Sequence, residues 1–290
     1  MFVQFSKRFK NLYKILNKMS LKENECTVVT AYYELKNKKH SSASYHLWIA
    51  NFMTFDCYMV IFTGDEETKA KLLTARNNFL EKTRVIILPL DSLFCSRFID
   101  YWKKDYDRDH ERYHTPLLYI LWNEKTAFLK RAKDVNLFNT EYYCWADIGM
   151  VRHETYLDYT RTFPSKKMLE TCNKSKVYLL NLVAYTEEEK QTITDACEHF
   201  RYKNNTGAGV ILCHQNLVDQ WFVTYYTMMQ RFMELDLFAG KDQSIINCVC
   251  LIHKDLVQFI VPQNSPIDEW FYMLVYFSDY FYNKHFLVRG

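Results

Sequence analysis

The most informative stretch of the sequence places a carboxylate directly after an apolar run. Residues 142–146 have the composition of a buried strand, Asp147 follows them, and Gly149 and Arg152 come shortly afterwards. A divalent ion held by one or two carboxylates and by phosphate oxygens can neutralise a diphosphate, and a guanidinium can add a bidentate phosphate contact. The pattern therefore suits a diphosphate site. The alternative is that Asp147 caps a turn and Arg152 lies on the surface.

Two other predicted strands end in groups that suit a nucleoside. Thr30 and Tyr32 lie near the end of the first apolar strand, and Phe62 and Thr63 end the second. An aromatic ring can stack on a base while hydroxyl groups bind the edge of that base. The other interpretation is that these residues only pack the strand ends and begin a turn.

The C-terminal half contains a second carboxylate beside an amide. Asp242 and Gln243 follow a turn at Gly240 and place a carboxylate and an amide side by side at a helix start. The structural interpretation is that Asp242 is an ordinary helix N-cap. Gly209 opens a strand and permits close approach of a ligand to the backbone. His253 is a candidate metal ligand, with a structural histidine as the alternative.

Composition and missing motifs exclude several classes of protein. Among 290 residues, 49% are apolar and 24% are charged, which excludes a disordered or fibrous chain. The net charge of +3 gives no electrostatic basis for a nucleic-acid partner. The sequence contains no GxGxxG, P-loop, GxSxG or HExxH motif. Nine cysteines without zinc or disulfide spacing favour a reducing, cytoplasmic compartment.

Strand and helix patterns alternate along the chain and predict one α/β domain. Apolar strands are expected at residues 26–35, 57–63, 84–90, 142–146, 177–182 and 209–213. Such alternation predicts a mainly parallel sheet with helices on both faces, and sheets of this kind bind ligands at the carboxyl ends of their strands. The polar tract 101–114 is predicted to be a surface insertion, and the aromatic tail 271–286 is predicted to pack back on the body.

The first 25 residues form a separate segment in this prediction, ahead of a domain that spans residues 26–290. The segment is basic, and its apolar residues recur three or four positions apart, as on one face of a helix. A basic amphipathic helix can lie on an anionic membrane, which would make the protein peripheral to it. The alternative is a helix packed on its own domain. No apolar run is long enough for a signal peptide or a membrane span.

An ordered set of short segments resembles a known family. The segments are, in order, TVVTAYYEL, LWI, MVIFT, LWNEK ending at Lys125, NLFN, and WADIG followed by Arg152. The set resembles the HtrL/YibB-like glycosyltransferases, and it is similar to the sugar-transfer enzymes encoded by large algal viruses. The resemblance runs from about residue 26 to the Asp242–Gln243 pair, which is most of the chain.

The resemblance implies a GT-A-like fold that uses a nucleotide-diphosphate sugar. Asp147 would stand where that fold usually has its metal-binding Asp-x-Asp, although this sequence has Gly149 in place of the second carboxylate. Asp147 would then assist the leaving diphosphate through Mn²⁺ or Mg²⁺, with help from Arg152 or Lys125. The resemblance also implies that Asp242 acts as a base or a sugar-orienting carboxylate and that Gln243 binds sugar hydroxyls.

These observations predict a glycosyltransferase that moves one sugar from a nucleotide-diphosphate sugar to a hydroxyl of a glycan or glycoprotein. UDP is the first choice of nucleotide, and the likeness to the viral enzymes makes UDP-xylose one candidate donor. Two alternatives belong to other classes. One is a glycan-binding module without catalysis, in which aromatic rings stack on sugars. The other is a membrane-surface scaffold that binds through residues 1–25.

Overall fold

A computed structural model describes residues 20–35, 40–111 and 113–287. Its strands are, in chain order, β1 (Lys22–Tyr32), β2 (Tyr58–Thr63), β3 (Thr83–Ile87), β4 (Thr140–Ala146), β5 (Val177–Asn181), β6 (Thr206–His214) and β7 (Val257–Ile260). Its α-helices are α1 (Ser42–Phe52), α2 (Glu66–Ala75), α3 (Ile99–Asp107), α4 (Pro116–Val135), α5 (Leu157–Thr160), α6 (Lys166–Glu170), α7 (Glu187–Thr192), α8 (Val218–Glu234), α9 (Asp242–Ile252), α10 (Tyr272–Tyr276) and α11 (Asp279–Tyr282). Short 3₁₀ segments lie at Asn77–Lys82, Leu90–Ser92, Phe94–Phe98, Glu154–Tyr156, Glu198–Phe200, Gln215–Leu217 and Glu269–Phe271, and a π-helical turn lies at Asn283–Leu287.

The strands form one sheet in the order β3-β2-β1-β4-β6-β5-β7. Neighbouring strands are parallel except that β6 runs antiparallel to both β4 and β5. The predicted α/β domain with a mainly parallel sheet and helices on both faces is therefore confirmed. The antiparallel direction of β6 has a consequence for the site, because it brings the first residues of β6 to the edge where β4 ends.

Two apolar cores fill the space on either side of the sheet. One core packs α4 and α8 against the first face, with Phe128 and Trp221 fully buried. The other packs α1 and the C-terminal aromatic segment against the second face, with Phe52 and Phe277 fully buried. The prediction that the tail 271–286 packs back on the body is confirmed by this second core.

Helix α4, which carries Lys125, has end signals that the sequence makes plain. Thr115 caps its first turn by accepting a hydrogen bond from the Leu118 N–H, and Pro116 occupies the first helical position, where its missing N–H costs nothing. The helix ends at Asn136, which adopts the left-handed conformation with φ of 46°. The long helix therefore starts and stops close to the predicted positions.

Several element bounds differ from those predicted. β1 begins at Lys22, so the predicted boundary at residue 25 falls inside a strand, and the predicted amphipathic helix otherwise lies at residues 1–19, outside the described residues. The helix expected to reach residue 199 is only α7 and a 3₁₀ turn. Among the described residues, none of the helices combines the length and apolar content that a membrane span needs.

The tract 101–114 is not a surface insertion. Residues 99–107 form α3, which packs against α4, and Trp102 and Asp105 are fully buried in it. Asp109 and His114 are also buried and bond each other at 2.7 Å. The prediction failed because it treated polar residues as exposed, whereas here the buried polar groups have partners, Asp105 at the distant Ala239 N–H and Asp109 at the nearby His114.

Candidate functional site

A cleft of about 310 Å³ opens at the carboxyl edge of the sheet. The ends of β1 and β4, the first part of β6 and the start of α9 border it. The order of the strands reverses between β1 and β4, which is the position where open α/β sheets bind ligands. The cleft brings together seven of the residues predicted from sequence: Tyr32, Lys125, Asp147, Arg152, Gly209, Asp242 and Gln243.

Lys125 lies between two carboxylates. Its Nζ atom is 3.2 Å from Asp147 Oδ1 and 3.0 Å from Asp242 Oδ2. The same ammonium donates to the carbonyl oxygen of Ala208 at 3.1 Å. Two of its hydrogen bonds reach Asp147 and Ala208, while the contact with Asp242 Oδ2 is an ion pair, since that buried oxygen makes no hydrogen bond within the described residues. Lys125 therefore holds together carboxylates from the end of β4 and the start of α9, and its predicted contact with a diphosphate would compete with these partners.

The group formed by Lys125, Asp147 and Asp242 carries more negative than positive charge when both carboxylates are ionised. Burial lowers the pKa of Lys125, but the two carboxylates outweigh that effect and the pKa is raised overall, so the ammonium stays charged. Burial also raises the pKa of Asp242, and the neighbouring ammonium offsets this rise only in part. The surplus negative charge favours a further cation in the cleft.

Asp147 is the member of this group that a ligand can reach. Its side chain is 42% exposed, whereas those of Lys125 and Asp242 are each 7% exposed. The indole N–H of Trp145 donates to Asp147 Oδ1 at 2.7 Å, and the backbone N–H of Asp147 donates to the carbonyl of Gly209 at 2.8 Å. These contacts fix the carboxylate at the mouth of the cleft.

A divalent ion suits Asp147 but cannot also reach His253. Mg²⁺ and ions like it are commonly bound by one or two carboxylates together with substrate phosphates, and Asp147 offers an exposed carboxylate beside surplus negative charge. His253 is exposed and follows the last residue of α9, whereas Asp242 is the first residue of that helix. Eleven residues at about 1.5 Å each separate them by roughly 16 Å. His253 therefore lies away from the cleft that contains Asp147, and its assignment as a metal ligand stays a prediction.

Asp242 is the first residue of α9 rather than its cap. The N-cap residue is Lys241, and no side chain caps this helix end. Asp242 Oδ1 accepts a hydrogen bond from the Gln243 N–H at 2.9 Å, and its other oxygen faces Lys125. The amide of Gln243 donates to the carbonyl of Thr206 at 2.9 Å, which ties α9 to the start of β6. The interpretation of Asp242 as an ordinary N-cap is not what the structure shows.

Two buried polar residues that the sequence analysis did not single out hold the turn before α9. Asn123 Nδ2 lies 3.3 Å from the carbonyl oxygens of both Ala239 and Gly240. Asp105 accepts a hydrogen bond from the Ala239 N–H at 2.8 Å. The position of Asn123 two residues before Lys125 was the only sequence signal, because Asp105 is far from this turn in the chain.

Arg152 lies against an aromatic wall of the cleft. Its guanidinium carbon is 4.6 Å from the ring centre of Trp48 and 5.0 Å from that of Phe271. Its Nε atom is buried and makes no hydrogen bond to any residue that the structure describes. A guanidinium held by rings, rather than by carboxylates, keeps its charge and donors for an anionic ligand.

Of the four residues predicted to hold a nucleoside, only Tyr32 lines the cleft. Thr30 and Thr63 are fully buried, and Phe62 is a core residue whose ring stacks on Phe128 at 4.8 Å between centres. These three are packing residues, as the other interpretation held, because helices cover the strand ends on both faces. Aromatic residues that the sequence analysis did not assign to the site line the cleft as well: Tyr33, Tyr45, Trp48, Trp122 and Trp270.

A second set of possible metal ligands lies nearby. Oxygen or nitrogen atoms of Asp109, Glu111 and His114 all lie within 4.8 Å of one another. They already have partners, because Asp109 accepts hydrogen bonds from Tyr119 and pairs with His114, while Glu111 pairs with Lys241. These contacts give the set a structural role beside the start of α9.

The chain matches the model of one protein family over residues 24–277. That family is described as HtrL_YibB, bacterial protein of unknown function, and this chain belongs to it. No curated protein matches the sequence. The expected likeness to enzymes of large algal viruses stays a prediction.

Two solved structures resemble this chain at a distance. The apo form of mouse xyloside xylosyltransferase 1 shares 10% sequence identity, with a TM-score of 0.47 over 88% of this chain and 93% of that chain. The galactosyltransferase LgtC, in complex with donor and acceptor sugar analogues, shares 14% identity, with a TM-score of 0.43 over 77% of this chain and 70% of that chain. At these distances the reaction has to be inferred from the cleft itself.

Proposed function

We propose that this protein is a glycosyltransferase that moves a single sugar from a nucleotide-diphosphate sugar to a glycan hydroxyl. One observation carries the proposal: an exposed carboxylate, Asp147, and a buried one, Asp242, are held by Lys125 in a cleft that also contains Arg152, a cation that forms no ion pair within the described part of the chain. Sugar transfer needs stabilisation of a leaving diphosphate and a group at the acceptor hydroxyl, and this cleft offers candidates for both.

The diphosphate end of the donor is assigned to Arg152 and Asp147. Arg152 has free donors for phosphate oxygens, and its aromatic support leaves its charge uncompensated by carboxylates. Mn²⁺ or Mg²⁺, when bound at Asp147, would stabilise the negative charge on the leaving diphosphate. Tyr32 and the other rings of the cleft supply surfaces on which a uracil ring can stack.

The sugar end is assigned to Asp242 and Gln243. In an inverting reaction the acceptor must lose its proton to a base, and the raised pKa of Asp242 suits it to accept one. In a retaining reaction Asp242 would orient the donor sugar instead. Lys125 acts as a positioning residue in either case, since it pairs with both carboxylates and donates to the Ala208 carbonyl. Gly209 is assigned to the sugar as well, since it lines the cleft and a methyl group there would lie 3.3 Å from Met150 and 3.6 Å from Asp147 Oδ2.

The finer identity of the substrates is part of the proposal. UDP is the proposed nucleotide, UDP-xylose is one candidate donor among UDP-hexoses and UDP-pentoses, and the acceptor is a glycan or glycoprotein. A cytoplasmic location, with peripheral membrane contact through residues 1–25, stays a prediction.

A thermal-shift screen tests the proposal directly. We expect UDP or a UDP-sugar, with Mn²⁺, to stabilise the wild-type protein by about 2.7 kcal/mol at a concentration 100 times its dissociation constant. Arg152→Gln should weaken this stabilisation because it removes the cation assigned to the diphosphate. Lys71→Gln, which removes an exposed cation from α2, is the matched control and should leave the stabilisation by the nucleotide unchanged. If no nucleotide or nucleotide sugar stabilises the protein while free glycans do, the glycan-binding module replaces the enzyme.

A further inference from the structure

A second cavity of about 160 Å³ adjoins the cleft. Lys241 and Gln243 line both, so the two spaces share a wall at the start of α9. The rest of this second cavity is formed mainly by residues 200–204, which precede β6. None of the chemistry assigned above uses it.

The lining of the second cavity is cationic. Arg201, Lys203 and Lys241 contribute three positive charges, and Glu111 is the one carboxylate among the described residues that line it. Glu111 pairs with Lys241, while the carboxylate that pairs with Lys203 belongs to Glu189, which is not part of the lining. All three cations thus have a carboxylate partner, but the partners of Lys203 and Arg201 lie outside the lining, so the lining itself offers an anion three cationic side chains and one anionic one.

Arg201 adds directional donors to this charge. Its nearest carboxylate is Glu198, which is 3.5 Å from Nη1 and does not line the cavity. Its Nε atom is buried and makes no hydrogen bond within the described residues. Its Nη2 atom donates to the backbone carbonyl of Arg108, so the Nε–H is the donor of Arg201 that remains without a partner, and a guanidinium N–H can donate a charge-assisted hydrogen bond to a phosphate or carboxylate.

The start of α9 adds two further features that suit an anion. This helix has 11 residues, and its N-terminus, where the helix dipole is positive, borders the cavity at Gln243 and Ser244, with the Gln243 N–H donating to Asp242 Oδ1. Ser244, in the first turn, lines the cavity and is 1% exposed, yet its hydroxyl has no hydrogen-bond partner among the described residues. An unpartnered buried hydroxyl is unfavourable, so this group points independently to a ligand.

We propose that the second cavity binds an anionic group, a phosphate or a carboxylate, carried by the acceptor. The acceptor part rests on the proposed function, because an acceptor hydroxyl near Asp242 places the rest of that molecule along the shared wall of Lys241 and Gln243. The substrate class is thus an acidic or phosphorylated glycan rather than a neutral one.

Binding of inorganic phosphate tests the cavity without any reference to sugar transfer. Calorimetry at low ionic strength should detect phosphate binding to the full chain with UDP present to occupy the cleft, and also without it. Arg201→Gln and Lys203→Gln should each weaken that binding at least fivefold, and the matched control Lys71→Gln should leave it unchanged. Lys203 is 44% exposed, so its variant should fold even if the Arg201 variant does not. Absence of millimolar phosphate binding, or equal binding by all variants, overturns the proposal.

Acceptor kinetics test the second half of the proposal. We expect Arg201→Gln to raise KM for a sugar phosphate or a uronic acid acceptor about tenfold, with no change in KM for a neutral sugar or in donor hydrolysis. Arg201→Lys should restore part of the loss, because it restores the charge. Equal KM values for anionic and neutral acceptors would overturn the acceptor assignment even if phosphate binds. No donor turnover with any acceptor, alongside phosphate binding that the variants weaken, would overturn the proposed function and keep the anion site.

Discussion

At the scale of single residues, Asp147 and Asp242 differ in what surrounds them. Asp147 is largely open to the cleft and receives the Trp145 indole N–H, whereas Asp242 is buried against Lys125. Two carboxylates that share one ammonium but differ in exposure suit different tasks. The exposed one can contact a ligand, and the buried one has its pKa raised by burial. This difference separates the two predictions that follow.

Asp147→Asn should fold normally and lose activity. The change keeps the shape of the side chain and removes the charge that is assigned to the diphosphate end, so we expect donor hydrolysis and transfer to fall roughly 100-fold or more. The measurement is turnover of UDP-sugar by protein whose melting temperature is close to that of the wild type. Glu66→Gln removes an equally negative but exposed group from α2 and should change neither quantity. Near-normal transfer by folded Asp147→Asn protein would remove Asp147 from the mechanism.

Asp242→Asn should lower the transfer rate while leaving UDP affinity within about twofold. Asn cannot accept the acceptor proton, and it leaves Lys125 with one charged partner instead of two. The control is Asp65→Asn at the N-cap of α2, where Asp65 accepts from the Thr68 N–H and Asn caps equally well. If both variants are silent, Asp242 has no role in transfer.

At the scale of secondary structure, the sequence predicted what depends on neighbours along the chain. The N-cap and Pro116 of α4, and the apolar runs of β2 and β4, are local signals, and these elements lie close to their predicted bounds. The site residues at strand and helix ends followed from the same signals. Local signals do not predict features that depend on contacts between distant segments. Such features are the burial of Asp105, the burial of Thr30, and the distance that the length of α9 puts between His253 and the cleft.

The contact between α3 and the turn before α9 predicts a pH dependence. Burial raises the pKa of Asp105 to about 6, although Arg108 and the Ala239 N–H favour its ionised form. The folded state therefore binds more protons than the unfolded state between about pH 4 and pH 6, and stability falls as pH rises through that window. Asp105→Asn removes this titrating group. The free energy of unfolding of the variant, relative to that of the wild type, should therefore rise by on the order of 2 kcal/mol between pH 4 and pH 7.

Urea denaturation of both proteins at several pH values checks this prediction. Groups whose pKa is lowered in the fold, such as Glu111, contribute equally to both proteins and cancel in the difference. A difference that is flat with pH would mean that Asp105 titrates as it does in the unfolded chain. A difference of the opposite sign would mean that its pairing with Arg108 outweighs its burial.

At the scale of the whole molecule, the two edges of the sheet have separate tasks. The carboxyl edge holds the cleft, and the amino ends of β2 and β3 are held by Arg76, which is fully buried. Its guanidinium donates to the carbonyls of Met53 at 3.0 Å and Cys57 at 2.9 Å, and its Nε donates to the Thr83 hydroxyl at 2.9 Å. A single cation thus satisfies the buried carbonyls of the loop that leads into β2.

Arg76→Met should destabilise the protein by about 3 kcal/mol or more, because it leaves several buried carbonyls without donors. Since this happens at the edge opposite the cleft, the kcat of the fraction that stays folded should match the wild type. Chemical denaturation gives the free energy of unfolding, and turnover at 15 °C, normalised to folded protein, gives kcat. A large fall in kcat at full folding would show that the amino edge influences the cleft.

The short wall formed by Lys241 and Gln243 has a consequence for how the binding of one ligand affects the binding of the other. Both residues border the cleft and the second cavity, and Asp242 between them is bonded to Lys125. Any shift of this segment on occupation of one space changes the free energy of occupying the other, and thermodynamic linkage requires the effect to be equal in both directions. If an anionic acceptor lowers the dissociation constant of the donor threefold, the donor must lower the dissociation constant of that acceptor threefold. Donor and acceptor would then enter as cooperative ligands of a single segment.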